Sequence, residues 1–118
     1  MTARSDSEPA RPGPLAGIRV LEFAGIGPGP FCAMMLADSG ATVLRVDRPG
    51  PAAASSQANT AAARPERAFL NRGRQSAVLD LKHPRAVDAL LRLVDAADVL
   101  LEGFRPGVTE RMGIGPEA

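Results

Sequence analysis

The 118 residues, of which 45% are hydrophobic and 23% charged, have the size and composition of one globular domain or of part of a larger one. Fourteen basic and thirteen acidic residues leave a formal net charge of +1, which excludes the strong positive field typical of nucleic-acid-binding proteins. No apolar stretch approaches the roughly 20 residues of a membrane span, and the first residues lack the apolar segment of a secretory signal. We therefore expect a cytoplasmic protein with neither nucleic acid nor membrane as a partner.

Metal and disulfide chemistry is excluded by the counts of cysteine and histidine. Cys32 is the single cysteine and His83 the single histidine, so neither an internal disulfide nor a structural zinc site can be built from this chain. Cys32 lies beside methionines on a predicted helix, which favours a small buried hydrophobe over a nucleophile. His83 precedes a proline at a strand-to-helix junction, where a capping or surface role is more common than catalysis.

The first half of the chain predicts a strand, a short helix and a second strand. Residues 1–14 are polar and rich in proline, which is typical of a disordered tail. Residues 18–23 read as a strand, residues 31–39 have apolar positions at helical spacing, and residues 41–47 form a nearly continuous apolar run. These elements make one βαβ unit.

The second half repeats the pattern after an insertion. Residues 51–68 are rich in alanine and serine without apolar periodicity, which predicts a flexible loop. A strand is predicted at 76–81, a helix from Pro84 to about residue 97, a buried strand at 98–102 and a last helical turn at 108–112.

Two βαβ-like units in series predict an α/β fold with a mostly parallel sheet and flanking helices. Both faces of such a sheet need helices, and only two substantial helices are predicted. We therefore expect residues 15–118 to be the N-terminal part of a larger domain.

A glycine-rich stretch follows the first predicted strand. Gly25, Gly27 and Gly29 do not have the spacing of a dinucleotide-binding fingerprint, and two prolines remove N–H donors from the turn. A dinucleotide site is disfavoured. Two interpretations stay open: a tight turn that sets the chain's direction, or a backbone wall lying close against a ligand.

Cationic side chains follow three of the predicted strands. Arg48 comes directly after the second, Lys82 follows the third and Arg105 follows the fourth. Open α/β sheets bind ligands at the carboxyl ends of their strands, so these cations would surround a phosphorylated ligand there. The alternative is a set of scattered surface charges, and the spacing alone does not decide between the two.

Longer stretches of the chain are similar to one known family. They begin with PLAGIRVLE at residues 14–22 and GPGPFCAMMLAD at 27–38, and they continue as VLRVDRPG, LNRGRQS, LDLK and DVLLEGFRPGV. Together they resemble the class III CoA-transferase family (CaiB/BaiF type), most closely its α-methylacyl-CoA racemase branch. The resemblance covers residues 14–118 apart from the predicted loop.

The resemblance implies a Rossmann-like large domain, an interlaced homodimer of the full-length form, and coenzyme A as the carrier of the acyl substrate, with no prosthetic group. The family's CoA contacts fall on residues at or after the predicted strand ends: Arg48, Leu79, Asp80, Leu81, Lys82, Gly103, Phe104, Arg105 and Arg111. The catalytic residues of either branch fall after residue 118, and His83 does not match the racemases' catalytic histidine, so no residue of this chain is assigned to catalysis.

The function that the resemblance implies is the CoA-binding portion of an enzyme that epimerises the 2-methyl centre of acyl-CoA thioesters, inactive on its own. Two alternatives stay open. The chain is part of a transferase that moves CoA between carboxylic acids, or it is a non-catalytic module that binds CoA or a nucleotide.

Overall fold

The computed structural model describes residues 13–49 and 69–118. Within these ranges, four parallel strands form one sheet in the order β3-β2-β1-β4: β1 Arg19–Phe23, β2 Thr42–Asp47, β3 Arg74–Val78 and β4 Val99–Leu101. The helices are α1 Pro28–Asp38, α2 Pro84–Asp95 and α3 Val108–Arg111. A 3-10 turn at Phe69–Asn71 precedes β3. The predicted parallel α/β fold is confirmed.

The position of each strand in the sheet decides how deeply it is buried. β1 and β2 are central, and from Val20 to Phe23 every residue of β1 is buried. β3 and β4 lie at the edges of the sheet and have no fully buried residue. The prediction of a buried fourth strand is therefore wrong, because Val99 and Leu100 have only one neighbouring strand in the described chain and are 41% and 38% exposed.

The two faces of the sheet are covered by different helices. The α1 face packs small side chains: Val20, Ala33, Ala37, Ala41 and Val43. The α2 face packs larger ones: Leu21, Phe23, Val46, Leu90 and Ile114. Because alternate residues of a strand point to opposite faces, the continuous apolar runs of β1 and β2 supply both clusters.

Several element boundaries differ from the prediction by one to three residues, most of all the start of α1 and the end of β3. Helix α1 begins at Pro28 instead of residue 31, since proline suits the first helical turn and costs no hydrogen bond there. β3 ends at Val78, which pairs with Asp47, the last residue of β2. Leu79 and Leu81 continue the apolar pattern beyond the point where a partner strand exists, so they belong to the following turn.

The remaining predictions on the chain's organisation have mixed outcomes. The predicted tail, apart from its last two residues, and the loop at 51–68 lie outside the described residues. Cys32 is exposed, so the prediction that it is buried is wrong: it faces outward on α1, whereas Ala33 and Ala37 face the sheet. In the described ranges, no helix is long and apolar enough to cross a membrane.

Candidate functional site

The carboxyl ends of the parallel strands lie at one edge of the sheet, and the connections that follow them meet there. Starting from β1, the chain adds β2 and β3 on one side and β4 on the other. The reversal leaves a crevice beyond the carboxyl ends of β1 and β4, which is where open α/β sheets bind ligands.

A small depression opens at this edge. Its lining comes from the ends of β1 and β2 and from the connections after β3 and β4: Phe23, Ala24, Val46, Asp47, Arg48, Leu79, Leu81 and Phe104. Of the residues that the sequence assigned to CoA, the structure brings Arg48, Leu79, Leu81 and Phe104 together here. The depression is mostly apolar and has one exposed cation at its rim.

The cation and the aromatic ring of the depression are in contact. The guanidinium carbon of Arg48 lies 5.9 Å from the centroid of the Phe104 ring, within the range of a cation–π interaction. The Phe104 ring in turn lies 5.6 Å from that of Phe23 at an interplanar angle of 44°. The Phe104 N–H donates to the carboxylate of Glu102 at 2.6 Å. Arg48 is therefore held beside an apolar floor, an arrangement that suits an anionic ligand carrying a ring or hydrocarbon.

Backbone hydrogen bonds fix the connections that form the depression. The Ala24 N–H donates to the Val46 carbonyl at 2.9 Å, and the Leu79 N–H donates to the Asp47 carbonyl at 3.0 Å. The Lys82 N–H donates to the Asp80 carboxylate at 3.1 Å, which closes the turn after β3. The hydrogen bonding of the sheet thus continues one residue beyond β1 and one beyond β3, to the lining residues Ala24 and Leu79.

The other residues that the sequence assigned to CoA do not line the depression. They are all exposed and lie in the turn after β3, in the connection after β4 and on α3: Asp80, Lys82, Gly103, Arg105 and Arg111. Only Arg48 of the three strand-end cations directly follows its strand. The contact of these exposed residues with CoA stays a prediction.

His83 caps α2. Its Nδ1 accepts a hydrogen bond from the Arg85 N–H at 3.2 Å, and its backbone is extended, as at other helix N-caps. The capping role predicted for His83 agrees with this geometry.

The sequence analysis missed a cluster of buried charges on the α1 face, which we call the ion cluster: Glu22, Arg45, Asp47 and Arg74. Arg74 Nε lies 2.8 Å from Glu22 Oε2, and Arg45 Nη2 lies 3.2 Å from Asp47 Oδ1. Arg45 Nη1 also donates to the Asn71 side-chain oxygen at 2.5 Å. The signal was present, because Glu22 and Arg45 interrupt otherwise apolar strands that both proved central.

Glu22 is held in the ion cluster by charge more than by aligned hydrogen bonds. Glu22 is fully buried, and neither of its carboxylate oxygens meets the geometry of a hydrogen bond, although Oε2 is close to Arg74. Burial raises the pKa of Glu22 from 4.5, against the opposing attraction of Arg74 and Arg45. Burial likewise lowers the pKa of Arg74, against the attraction of Glu22. Burial thus opposes the charged form of each partner, and their mutual attraction opposes that effect.

Metal binding has no support in the part of the chain that the structure covers. Across residues 13–49 and 69–118, no three histidine, cysteine, aspartate or glutamate side chains are grouped as a metal site requires.

Many ligand-binding proteins have a parallel α/β sheet with an arginine after one of its strands, and comparison with known proteins narrows this class. The chain belongs to CoA-transferase family III, whose model matches residues 15–118. It is 52% identical to human alpha-methylacyl-CoA racemase over 103 residues, which are 87% of this chain and 24% of the racemase. It is 44% identical to a probable fatty acyl-CoA transferase of Mycobacterium tuberculosis over 115 residues, 94% of this chain and 29% of that protein.

The fold of these relatives is also similar. A crystal structure of a Mycobacterium tuberculosis protein, 41% identical in sequence, superposes with a TM-score of 0.75 over 92% of this chain and 30% of its own. The chain thus spans 24% to 30% of the length of these three proteins.

Proposed function

We propose that this chain is the CoA-binding N-terminal portion of an α-methylacyl-CoA racemase. In the complete enzyme, the proton α to the thioester carbonyl is removed and returned on either face, which inverts the 2-methyl centre. The 52% identity to the human racemase supports this branch of the family.

The observation that carries the proposal is the position of Arg48 at the depression. CoA combines a diphosphate and a 3′-phosphate with an adenine ring and an apolar pantetheine arm. Arg48 offers a fork of N–H donors to a phosphate, and Phe104 and Leu79 offer apolar contact beside it. The exposed Lys82, Arg105 and Arg111 would add charge around the same ligand.

Proton transfer is assigned to the remainder of the complete enzyme. The single histidine of this chain uses Nδ1 to cap α2, and Glu22 and Asp47 are buried within the ion cluster. We therefore expect the 118 residues alone to bind acyl-CoA without exchanging its α-proton. The interlaced homodimer and the cytoplasmic location stay predictions.

A CoA-transferase is the second candidate, and the 44% identity to the mycobacterial transferase favours it. Chimeras separate the two functions. Residues 15–118 would replace the matching segment either of the human racemase or of that transferase. The racemase proposal expects the first chimera to retain more of its parent's activity, measured as α-proton exchange in D2O, than the second retains of CoA transfer. The reverse ranking would favour the transferase.

The CoA site is tested by replacing Arg48. Arg48→Ala should weaken CoA binding by about 1.5–3 kcal/mol, the value of a hydrogen bond to a charged group, and Arg48→Lys should recover only part of that loss. Isothermal titration with CoA measures both effects. Arg92→Ala, which removes an exposed arginine in the last turn of α2, is the matched control and should leave the affinity unchanged. Equal affinities of the Arg48→Ala and Arg92→Ala variants would remove Arg48 from the site.

A further inference from the structure

The turn at residues 25–29, which we call the glycine-rich turn, borders the depression but has little to hold it there. It follows Ala24, a lining residue, and leads into α1. The N-cap of α1 is Gly27, at a φ of 79° that favours glycine, and it provides no side-chain cap. The first turn of α1 also has no acidic residue, and its prolines supply no N–H donors.

Packing does not hold the glycine-rich turn either. In the described chain, no atom lies within 4 Å of the position that a Cβ would take at Gly27 or at Gly29, beyond their own neighbours. The Ile26 side chain, directly before Gly27, is 91% exposed. The backbone of this turn therefore faces open space beside the proposed ligand site, and contacts just outside the turn must fix its position.

Arg74 makes such a contact. Its side chain is 2% exposed, and its Nη2 donates to the Pro30 carbonyl in the first turn of α1. Its Nη1 donates to the Leu70 carbonyl, and its Nε faces the Glu22 carboxylate. One guanidinium thus joins the start of α1 to β1 and to the segment that leads into β3. Lysine could not make these connections together, because it lacks the planar fork.

We propose that Arg74, oriented by Glu22, is a positioning residue that holds the glycine-rich turn against the carboxyl edge of the sheet. The turn then forms the wall for the acyl part of the thioester, while Arg48 and its neighbours bind the CoA part. The first half of this inference concerns the fold alone, and the second half rests on the proposed function.

The first experiment measures the turn without any ligand. Amide hydrogen exchange at Phe31, the first residue of α1 whose N–H can bond within the helix, and alkylation of Cys32, the single cysteine, report on the start of α1. Arg74→Lys should accelerate amide exchange at Phe31 by about tenfold, the factor that corresponds to the loss of one charge-assisted hydrogen bond, and should change the alkylation rate in parallel. Arg72→Lys, in the exposed pair of Arg72 with Asp38, is the matched control and should leave both rates unchanged.

A second variant guards against a loss of folding. Glu22→Gln keeps the shape of the side chain and removes the charge that orients Arg74, so it should change the same rates in the same direction. Far-ultraviolet circular dichroism would verify that each variant keeps its helices. If exchange at Phe31 were the same in both variants as in the control, Arg74 would not hold the turn, whatever the ligand.

The second experiment compares two ligands on the same variants. Arg74→Lys should weaken a 2-methylacyl-CoA by about tenfold and leave the affinity for CoA within about twofold of the unmodified chain. A purely structural role of Arg74 would weaken both ligands equally, and that result would overturn the assignment of the acyl wall. Failure of the unmodified chain to bind either ligand would overturn the proposed function and the acyl wall, while the exchange experiment would still decide whether Arg74 holds the turn.

Discussion

The α1 face and the α2 face of the sheet are built from alternating residues of the same strands, yet they bury different chemistry. The α2 face packs leucine, phenylalanine, valine and isoleucine side chains, contributed by the sheet, by α2 and by Ile114 after α3. The α1 face packs alanine and valine, and it also holds every member of the ion cluster. On the α1 face, the apolar packing of the helix thus lies next to a layer of buried charges. On the α2 face, no such layer interrupts the apolar packing.

The position of the charges within the α1 face explains their presence. Val20 and Val43 lie early in β1 and β2, whereas Glu22, Arg45 and Asp47 lie toward the carboxyl ends, and Asp47 also lines the depression. Burying paired charges adds little stability compared with apolar side chains of similar volume. We infer that the α2 face supplies most of the folding free energy, while the ion cluster fixes geometry beside the ligand site.

The largest expected effect comes from breaking the ion cluster. Arg74→Met should lower the free energy of unfolding by about 3–5 kcal/mol, because it leaves the Glu22 carboxylate buried without its partner. Glu22→Leu together with Arg74→Met should cost less than the sum of the single changes. Urea unfolding of the four proteins measures this cycle, and additive losses would show that the pair is not coupled.

A cavity on the α2 face should have the next largest effect. Leu90 is fully buried against the sheet, so Leu90→Ala should cost about 3 kcal/mol through lost apolar contact and the cavity left behind. Ala33→Gly on α1, also at a fully buried position, should cost about 1 kcal/mol, the helix penalty of glycine. Similar losses at the two positions in urea unfolding would contradict the division of stability between the faces.

The N-termini of α1 and α2 also differ, and this difference should have a smaller effect on stability. α2 has a side-chain cap and α1 has none, so His83→Ala should cost about 1 kcal/mol of stability and fray the first turn of α2. His83→Asn should restore most of the loss, since asparagine is a good N-cap residue. Thermal unfolding and exchange at the Arg85 amide measure the effect. An unchanged exchange rate in His83→Ala would show that the hydrogen bond from Arg85 contributes nothing.

The smallest expected effect is on the exposed side of α1. A hydrogen bond from Arg72 lowers the pKa of Asp38 below 3.8, so the folded state favours the carboxylate. The resulting stability is present above pH 3.8 and is lost as the pH falls through the lower folded value. Asp38→Asn should therefore flatten the acid limb of a stability-against-pH curve.

The contribution of Asp38 to stability can be distinguished from that of the ion cluster, because the two depend on pH in opposite directions. The raised pKa of Glu22 acts in the opposite direction: its contribution is fully present below pH 4.5 and is lost as the pH rises through the folded value. The window below pH 3.8 thus isolates Asp38. An acid limb of the same slope in Asp38→Asn would mean that the exposed pair is fully screened by solvent.

Much of the fold was predictable because it depends on local pattern. The order of elements, the parallel sheet and the position of Arg48 directly after β2 follow from apolar periodicity and from glycine and proline punctuation. The resemblance carried by these same stretches led to the family, which the match over residues 15–118 shows. Four of the residues expected at the CoA site lie together in the depression: Arg48, which its place after a strand suggested, and Leu79, Leu81 and Phe104, which only the family resemblance implied.

The sequence by itself determined where strands and helices form, since periodicity reports how each local segment alternates between solvent and core. Only the tertiary structure decided that β4 is an exposed edge, and only the structure joined Glu22 to Arg74 across the intervening strand. The physical reason is that the order of strands in the sheet decides which charged side chains lie close enough to pair. That order depends on contacts between residues far apart in the chain, which no local pattern records.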